Sequence, residues 1–440
     1  MAREMKNSGI AWIGEIPEGW NVLRLKSLFS FGKGLPITKE NLEDTGVPVI
    51  SYGQIHSKTN TGVKLQDDLF RFVSPSYIER NAESLVHSGD IIVADTSEDT
   101  DGCGNCVHVD REMQLFAGYH TIILKALEQD DNKYLAYQMK TDPWRSQIRS
   151  RVSGVKVFSI SRKILSDSLV VFPPLSEQSR IAAYLDYHCA EIDRIMEQTR
   201  VTIEEYKKLK QSIITEAVTH GVRGPRKMKD SGVEWIGEIP DEWNCKPIKY
   251  VAIFQPACVV SNLTEDSEIT YMPMDCLKNG YYVENSSRYG LLASSLTQFE
   301  EGDIAMAKVT PCFENGNIAI MEGLHSGFGM GSSELFIYRP YAVLAKYLLY
   351  WLQNDLFKQS ACATMTGTGG LKRVSPYFAK HSHIAVPDQL EQQQIIDYLA
   401  FICGEVDRLI DSKQQLLTEL EAYKKSVIYE YVTGKREVPQ

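Results

Sequence analysis

Two stretches of nearly identical sequence decide the organisation of this chain. Residues 8–21 read SGIAWIGEIPEGWN, and residues 231–244 read SGVEWIGEIPDEWN. A second pair follows in the same order, with FPPLSEQSRIAAYLD at 172–186 and VPDQLEQQQIIDYLA at 386–400. Self-similarity of this kind is the signature of an internal repeat. The chain is therefore predicted to consist of a module and a helix, followed by a second module and a second helix.

In each repeat, the second motif lies at the start of a long amphipathic segment. From Glu177 to about Thr219, and from about Leu390 to Val432, apolar residues recur at steps of three and four, which is typical of a coiled-coil helix. Each helix would be roughly 60 Å long. We expect the two to pack on each other, antiparallel; the alternative is one helix per domain, packed in its own core. The residues predicted to mediate helix–helix docking are Ile181, Leu185, Ile192, Ile195, Ile203, Ile213, Ile395, Leu399, Val406, Leu409, Leu420 and Val427.

The regions between the motifs are predicted to be α/β modules, with helices near 131–150 and 342–360. The predicted strands, rich in Val, Ile and Tyr, are Val47–Ser51, Asp90–Ala94, Thr121–Leu124, Glu268–Pro273, Asp303–Ala307 and Glu334–Tyr338. The fold class is thus two tandem α/β globular domains joined by two long antiparallel coiled-coil helices, with pseudo-twofold symmetry. The predicted boundaries are 1–172 for the first module, 173–222 for the central helix, 223–386 for the linker and second module, and 387–440 for the distal helix.

Composition excludes several classes of protein. The 440 residues carry a formal net charge of −10, which argues against indiscriminate coating of nucleic acid. The sequence contains no run of about eighteen apolar residues, so no membrane-spanning helix is predicted. The nine cysteines are scattered, which suits a reducing cytoplasm. The first residues include no apolar stretch typical of a secretory signal, so we expect a cytoplasmic protein.

Catalytic signatures are missing from the sequence, so we expect neither a catalytic centre nor a metal site. A phosphate-binding GxxxxGK[ST] loop, an HExxH helix and a GxSxG elbow are all absent. Cys103 and Cys106 form a CxxC without the second ligand pair that a zinc site needs. The two thiols are expected to be incidental.

Basic residues gather before each long helix, which suggests local contacts with phosphates. The alternative is a solvated helix face and a charged loop. Aromatic and amide residues after a predicted strand could read base edges, although polar surface residues would look the same. The candidate DNA-binding residues are Tyr52, Gln54, Lys58, Arg145, Arg149, Arg151, Lys156, Arg162, Lys308, Lys358, Lys372 and Arg373.

The pattern GIxWIGEIPxxW before a module, then PPLxEQxxIxxYLD at the start of a long helix, both occurring twice, resembles the specificity subunit of type I restriction–modification systems. The second copy departs slightly, since it reads VPDQLEQ. The resemblance implies two target recognition domains, each reading half of a bipartite, asymmetric site in double-stranded DNA, with the helices setting the spacing between the half-sites. It also implies a bacterial or archaeal source.

The resemblance further implies a chain without catalytic activity or cofactor of its own. Its partners would be two modification (methyltransferase) subunits and, in many systems, two restriction (motor-nuclease) subunits. The resemblance implies that the helix residues given above for helix–helix docking also serve in partner docking. S-adenosylmethionine would belong to the modification partner, and ATP and Mg²⁺ to the restriction partner.

Two alternatives remain open from the residues alone. One is a self-sufficient DNA methyltransferase or nuclease with an unrecognised catalytic centre. The other is a structural adaptor that does not touch nucleic acid. Binding of S-adenosylmethionine to the isolated chain would favour the first, and a salt-dependent DNA complex would exclude the second.

Overall fold

The structure is a computed structural model that describes residues 3–127, 132–154, 156–259, 263–368 and 370–439. The chain forms two compact units. Unit 1 comprises Met1–Gln198 and Leu416–Gln440, and unit 2 comprises Thr199–Gln415. Both long helices cross from one unit to the other, so each unit contains a segment of each helix. The alternative of one separate helix per domain is therefore wrong.

Unit 1 is built mainly from short strands that precede the first long helix. Its strands are β1 (Met5–Asn7), β2 (Glu15–Pro17), β3 (Asn21–Arg24), β4 (Phe29–Lys33), β5 (Val47–Ile50), β6 (Arg71–Val73), β7 (Leu85–Val86), β8 (Ile91–Ala94), β9 (Thr96–Ser97), β10 (Cys106–His108), β11 (Leu115–Ala117), β12 (Thr121–Ala126), β13 (Phe158–Ser159) and β14 (Leu169–Phe172). Its helices are α1 (Tyr52–Ile55), α2 (Tyr77–Arg80), α3 (Lys133–Met139), α4 (Asp142–Arg149), α5 (Arg162–Ser166) and the first part of α6 (Leu175–His220).

Unit 2 repeats the order of the main strands and of the long helix. Its strands are β15 (Met228–Asp230), β16 (Glu238–Pro240), β17 (Asn244–Pro247), β18 (Ala252–Phe254), β19 (Glu268–Met272), β20 (Ser286–Arg288), β21 (Thr297–Glu300), β22 (Ile304–Ala307), β23 (Ile318–Ile320), β24 (Phe328–Gly331), β25 (Leu335–Pro340) and β26 (His383–Val386). Its helices are α7 (Ala345–Gln353), α8 (Asp355–Ala363), α9 (Pro376–His381) and the first part of α10 (Gln389–Val432).

The sheets of the two units have the same topology. In unit 1 the four-stranded sheets run β10-β8-β12-β4 and β6-β5-β11-β7; in unit 2 they run β23-β22-β25-β18 and β20-β19-β24-β21. Pairing is antiparallel except between β5 and β11 and between β19 and β24. β8 and β22 are buried along their whole length, which explains their continuous apolar sequences. The predicted tandem α/β repeat is confirmed.

The helical regions predicted near 131–150 and 342–360 are each split into two helices. The break between α3 and α4 precedes Pro143, which lies in the first turn of α4 and has no N–H to donate. The break between α7 and α8 falls at Asn354, whose Oδ1 accepts a hydrogen bond from Phe357 N at 2.9 Å and so caps α8. These local signals interrupt each predicted helix.

Segments of α6 and α10 pack against each other within each unit. In unit 1 the hydroxyls of Tyr184 and Tyr431 are 3.0 Å apart, and Asp193 pairs with Lys424 at 2.6 Å. Residue numbers therefore rise along α6 as they fall along α10. In unit 2 Lys210 of α6 pairs with Asp407 of α10 at 2.7 Å. The predicted antiparallel helix pair is confirmed.

A carboxylate joins the two repeated motifs in each unit. In unit 2 the indole N–H of Trp243 donates to Glu391 Oε2 at 3.0 Å, and Arg226 pairs with Glu391 at 2.6 Å while lying 5.1 Å from the centre of the Trp243 ring. In unit 1 the corresponding Trp20–Glu177 hydrogen bond is 2.9 Å long. We call each arrangement of Trp, Glu and Arg a latch; the latch of unit 1 consists of Trp20, Glu177 and Arg3, and the latch of unit 2 of Trp243, Glu391 and Arg226.

The two latches differ in burial, and this predicts different costs of removing the carboxylate. The side chain of Glu391 is 1% exposed and that of Glu177 is 22% exposed. Glu391→Ala removes the buried acceptor of the Trp243 indole N–H and one of the two carboxylates that pair with Arg226, which keeps Glu242, and should lower the unfolding free energy by about 3 kcal/mol. Glu177→Ala should cost less, about 1–3 kcal/mol. Denaturant unfolding followed by tryptophan fluorescence measures both, and equal losses would contradict this ranking.

Lys140, at the end of α3, provides a second prediction. Burial, followed by the positive charges of Lys424 and Arg145, lowers its pKa to about 8, whereas a lysine in an unfolded chain titrates near about 10.4. Between these values the unfolded state binds more protons, so the unfolding free energy should rise with pH. Lys140→Met should remove this rise. Denaturant unfolding of both proteins across this pH window checks it, and parallel curves would contradict it.

Candidate nucleic-acid interface

A short hairpin, residues 153–159, follows α4 in unit 1. Its β13 pairs with β9, which comes directly after β8. Gly154 has a φ of 150°, and a Cβ there would lie 2.0 Å from the carbonyl oxygen of Val157, so this turn requires glycine. The side chain of Val157 is 49% exposed. Val155 lies outside the described residues. The hairpin thus presents an apolar side chain to solvent beside a strand end.

The same hairpin recurs in unit 2 at residues 366–373. Thr366 and Arg373 exchange backbone hydrogen bonds of 3.1 and 2.8 Å. Gly367 has a φ of 141°, and a Cβ there would lie 2.3 Å from the carbonyl oxygen of Leu371. Leu371 is 54% exposed, and Val157 occupies a similarly exposed position in the first hairpin. Gly369 lies outside the described residues. We call residues 153–159 the first hairpin and residues 366–373 the second hairpin.

Several predicted DNA-binding residues lie on or beside the hairpins with exposed side chains. Around the first hairpin these are Arg151, Lys156 and Arg162, and on the second hairpin they are Lys372 and Arg373. Exposed cations next to an exposed glycine-containing turn can approach a phosphate backbone closely. The two hairpins are therefore the strongest candidates for a nucleic-acid interface among the predicted residues.

Arg145 and Arg149 are half-buried on α4 and bind a neighbouring loop. Arg145 donates to Asn105 Oδ1 at 2.7 Å and to the carbonyl of Asp101 at 3.1 Å, and Arg149 donates to the carbonyl of Thr100 at 3.1 Å. Burial lowers the pKa of Arg145. The bonds hold a loop whose own acidic side chains are exposed. A role for the two arginines in DNA binding stays a prediction.

The residues predicted after β5 have mixed surroundings. Gln54 Oε1 accepts a hydrogen bond from Ser51 N at 3.1 Å and caps α1, whereas Lys58 is exposed. The ring of Tyr52 lies 5.4 Å from that of His120 and 5.6 Å from that of Tyr119. This aromatic group stands at the end of the strands of unit 1. Whether these residues read bases stays a prediction.

The two remaining basic candidates belong to unit 2. Lys308 follows β22, and its Nζ donates to the carbonyl of Ser333 at 2.7 Å. Lys358 is half-buried on α8. Lys308 therefore lies at a strand end. It is close to the second hairpin, because its neighbour Val309 forms a β-bridge with Arg373.

The residues predicted for helix docking divide by exposure. Within the packed helices, the buried ones are Ile181, Leu185, Ile192, Ile203, Ile395, Leu399, Val406 and Val427. Ile213 and Leu420 are half-buried, while Ile195 is 38% and Leu409 47% exposed. Ile195 and Leu409 are thus less buried than the other residues of the set, and docking of a partner by any of these residues stays a prediction.

Sequence reasoning missed three residues at the strand ends. They are Asp95, which follows β8, and His120 and Glu334, which precede β12 and β25. His120 Nδ1 lies 3.3 Å from Asp95, and Glu334 pairs with Arg373 at 2.7 Å. A residue-by-residue alignment of the two halves across these strands could have found them, because they fall at equivalent positions.

The described part of the chain contains no cluster of three or more His, Cys, Asp or Glu residues able to hold a metal ion. Cys103 and Cys106 are buried, and burial raises the pKa of both thiols, which lowers their reactivity at neutral pH. Over the same described residues, no helix is both long and apolar enough to cross a membrane.

A family model matches the first half of the chain. The model for the type I restriction modification DNA specificity domain matches residues 17–205. That segment includes residues 17–172 of the first module, the first hairpin and α6 as far as residue 205.

The individual relatives are specificity subunits. The EcoAI type I restriction enzyme specificity subunit of Escherichia coli is 34% identical over 195 residues, which cover 43% of this chain and 32% of that subunit. The chain thus matches only about a third of the length of this relative. The MjaVIII specificity subunit of Methanocaldococcus jannaschii is 24% identical and covers 96% of this chain and 93% of its own length. The resemblance to type I specificity subunits is therefore confirmed.

Solved structures share the fold of the whole chain. A chain from a structure of type I R-M complex assembly and conformational transition aligns with a TM-score of 0.70 and 16% identity, over 96% of this chain and 99% of its own. The HsdS subunit from Thermoanaerobacter tengcongensis aligns with a TM-score of 0.51 and 16% identity, over 96% and 98%. At this identity the likeness concerns the fold.

Proposed function

We propose that the chain is the DNA-binding specificity subunit of a type I restriction–modification complex. Each unit reads one half of a bipartite, asymmetric site in double-stranded DNA. The observation that carries this proposal is the duplication itself: latch, sheets and helix pair recur in both units, whereas the exposed hairpins carry different side chains. A shared framework with unlike exposed hairpins suits two different target sequences.

Charge distribution supports the proposal. The chain is acidic overall, with a formal net charge of −10, but exposed cations surround both hairpins. An acidic excess limits non-specific binding, while local cations contact phosphates. Two units that each bind DNA weakly also bind it tightly when they belong to one polypeptide, because binding of the first raises the effective concentration of the second. The paired helices set the spacing between the half-sites.

The chemistry belongs to partner subunits in this proposal. Two modification subunits supply methyl transfer from S-adenosylmethionine, and two restriction subunits supply ATP- and Mg²⁺-dependent cleavage. The chain itself acts without a cofactor, in the cytoplasm of a bacterium or archaeon. Support comes from the absence of catalytic sequence motifs and from the family of its relatives.

Separating the chain from its partner tests the proposal. The isolated chain should neither bind labelled S-adenosylmethionine nor methylate DNA, whereas the chain with its modification subunit should methylate a specific duplex. Equilibrium dialysis and a methyl-transfer assay measure the two properties. Stoichiometric binding of S-adenosylmethionine by the isolated chain would instead support an enzyme.

Salt dependence distinguishes the cations at the hairpins from an exposed cation elsewhere in the chain. Arg151→Ala and Lys372→Ala should each reduce the slope of log affinity against log salt by about 1, because each removes one phosphate contact. Fluorescence anisotropy of the assembled complex on labelled DNA measures this slope. Lys227→Ala serves as the control, because Lys227 is an exposed cation outside the hairpins. An equal change in the control would contradict the assignment.

A further inference from the structure

The strand ends next to the hairpins have the same backbone hydrogen bonds in both units. Asp95 N donates to the carbonyl of His120 at 3.1 Å, and Lys308 N donates to that of Glu334 at 3.0 Å. Ile160 N donates to the carbonyl of Asp95 at 2.7 Å, and Val374 N to that of Lys308 at 2.9 Å. Three pairs of positions are thereby equivalent: Asp95 and Lys308, His120 and Glu334, and Ser159 and Arg373.

The side chains at these positions differ completely. Unit 1 has a small hydroxyl at Ser159, whereas unit 2 has the guanidinium of Arg373. Arg373 Nε lies 2.9 Å from Glu334 Oε2, and its Nη2 lies 2.7 Å from Glu334 Oε1. Lys308 Nζ is 3.9 Å from the same carboxylate. The carboxylate thus fixes the plane of the guanidinium through one edge.

The geometry of that pair leaves a second edge of Arg373 unused by Glu334. Glu334 bonds the side-on edge, formed by Nε and Nη2, so the end-on edge, formed by Nη1 and the outer hydrogen of Nη2, points away from it. The side chain of Arg373 is 46% exposed. An oriented, exposed fork of two donors matches two acceptors in one plane.

Stability does not account for this arrangement. Ion pairs at partly exposed positions contribute little to folding. Unit 1 forms the same backbone bonds, and the same pairing of hairpin and strand, with serine in place of arginine. The backbone of the hairpin therefore does not depend on the pair of Arg373 and Glu334.

We propose that Arg373, oriented by Glu334, reads a guanine in the half-site bound by unit 2. This inference rests on the proposed function. The O6 and N7 atoms of guanine present two acceptors in the major groove, and a bidentate arginine is their commonest specific partner. Lys372, beside Arg373 on the second hairpin, contacts phosphate. Ser159 has no such fork, so unit 1 makes no bidentate contact with a guanine from this position.

Mapping of methylated sites tests the proposal with the full chain and its modification subunit. Arg373→Ala should make one guanine position in one half-site degenerate and leave the other half-site unchanged. In competition binding, discrimination against other bases at that position should fall from roughly 5- to 150-fold to none. Arg373→Lys should not restore it, because lysine keeps the charge but lacks the fork.

Glu334→Gln tests the positioning role. The amide retains the shape but loses the charge that holds Arg373, so discrimination at the same guanine should weaken, with the other positions unchanged. Arg288→Ala is the control, because Arg288 is an exposed arginine of β20 in the same unit, and it should leave the motif intact. Thermal melting establishes that each variant is folded, and Arg373→Lys carries the test if the alanine variant is not.

Two results would overturn the inference. One is an unchanged methylation motif in Arg373→Ala or, if that variant does not fold, in Arg373→Lys. The other is an equal loss of affinity for all sequences that Arg373→Lys repairs, which would make Arg373 a phosphate contact. A failure of the proposed function would look different, because the unmodified chain with its partner would then show no sequence preference in either half-site.

Discussion

In each half of this protein, a hydrogen bond from a buried indole N–H to a glutamate at the start of a long helix connects the beginning of the module to its end. Trp20 and Glu177 form it in unit 1, and Trp243 and Glu391 form it in unit 2. The bond joins the beginning of each module to the helix that ends it, across most of the unit's sequence. An arginine also stacks on each indole and pairs with each carboxylate. The first and last segments of each module are therefore held next to each other. The modules between these points can then diverge without loss of the framework.

This constraint explains why much of the fold was predictable from the sequence. The two motifs that revealed the repeat contain the tryptophan and the glutamate of the latch, so the most similar residues are those that contact each other. The long helices were predictable because their apolar spacing persists over many turns. The buried strands, such as β8 and β22, were predictable because they are continuous apolar runs. The splitting of the shorter helices depended on Pro143 and on the cap at Asn354, which are local signals within a helical pattern.

The candidate interface was less predictable, because a basic residue in a sequence does not disclose its partner. Arg145 and Arg373 both lie in basic stretches of the sequence. In the structure, however, Arg145 binds a loop, whereas Arg373 pairs with Glu334 at a strand end. The distinction depends on residues far away in sequence that the sheets bring together. Comparing equivalent positions in the two units is more informative than charge alone. Where the backbone is the same and the side chains differ, the difference is available for recognition.

The central claim is that the two units are independent readers built on one framework. The most direct measurement exchanges residues 1–172 for the corresponding module of another specificity subunit and maps the methylated sites of the assembled complex. The account predicts that one half-site changes to that of the donor, while the other half-site and the spacer length are retained. A change in both half-sites would contradict it, because the two modules would then not recognise DNA separately.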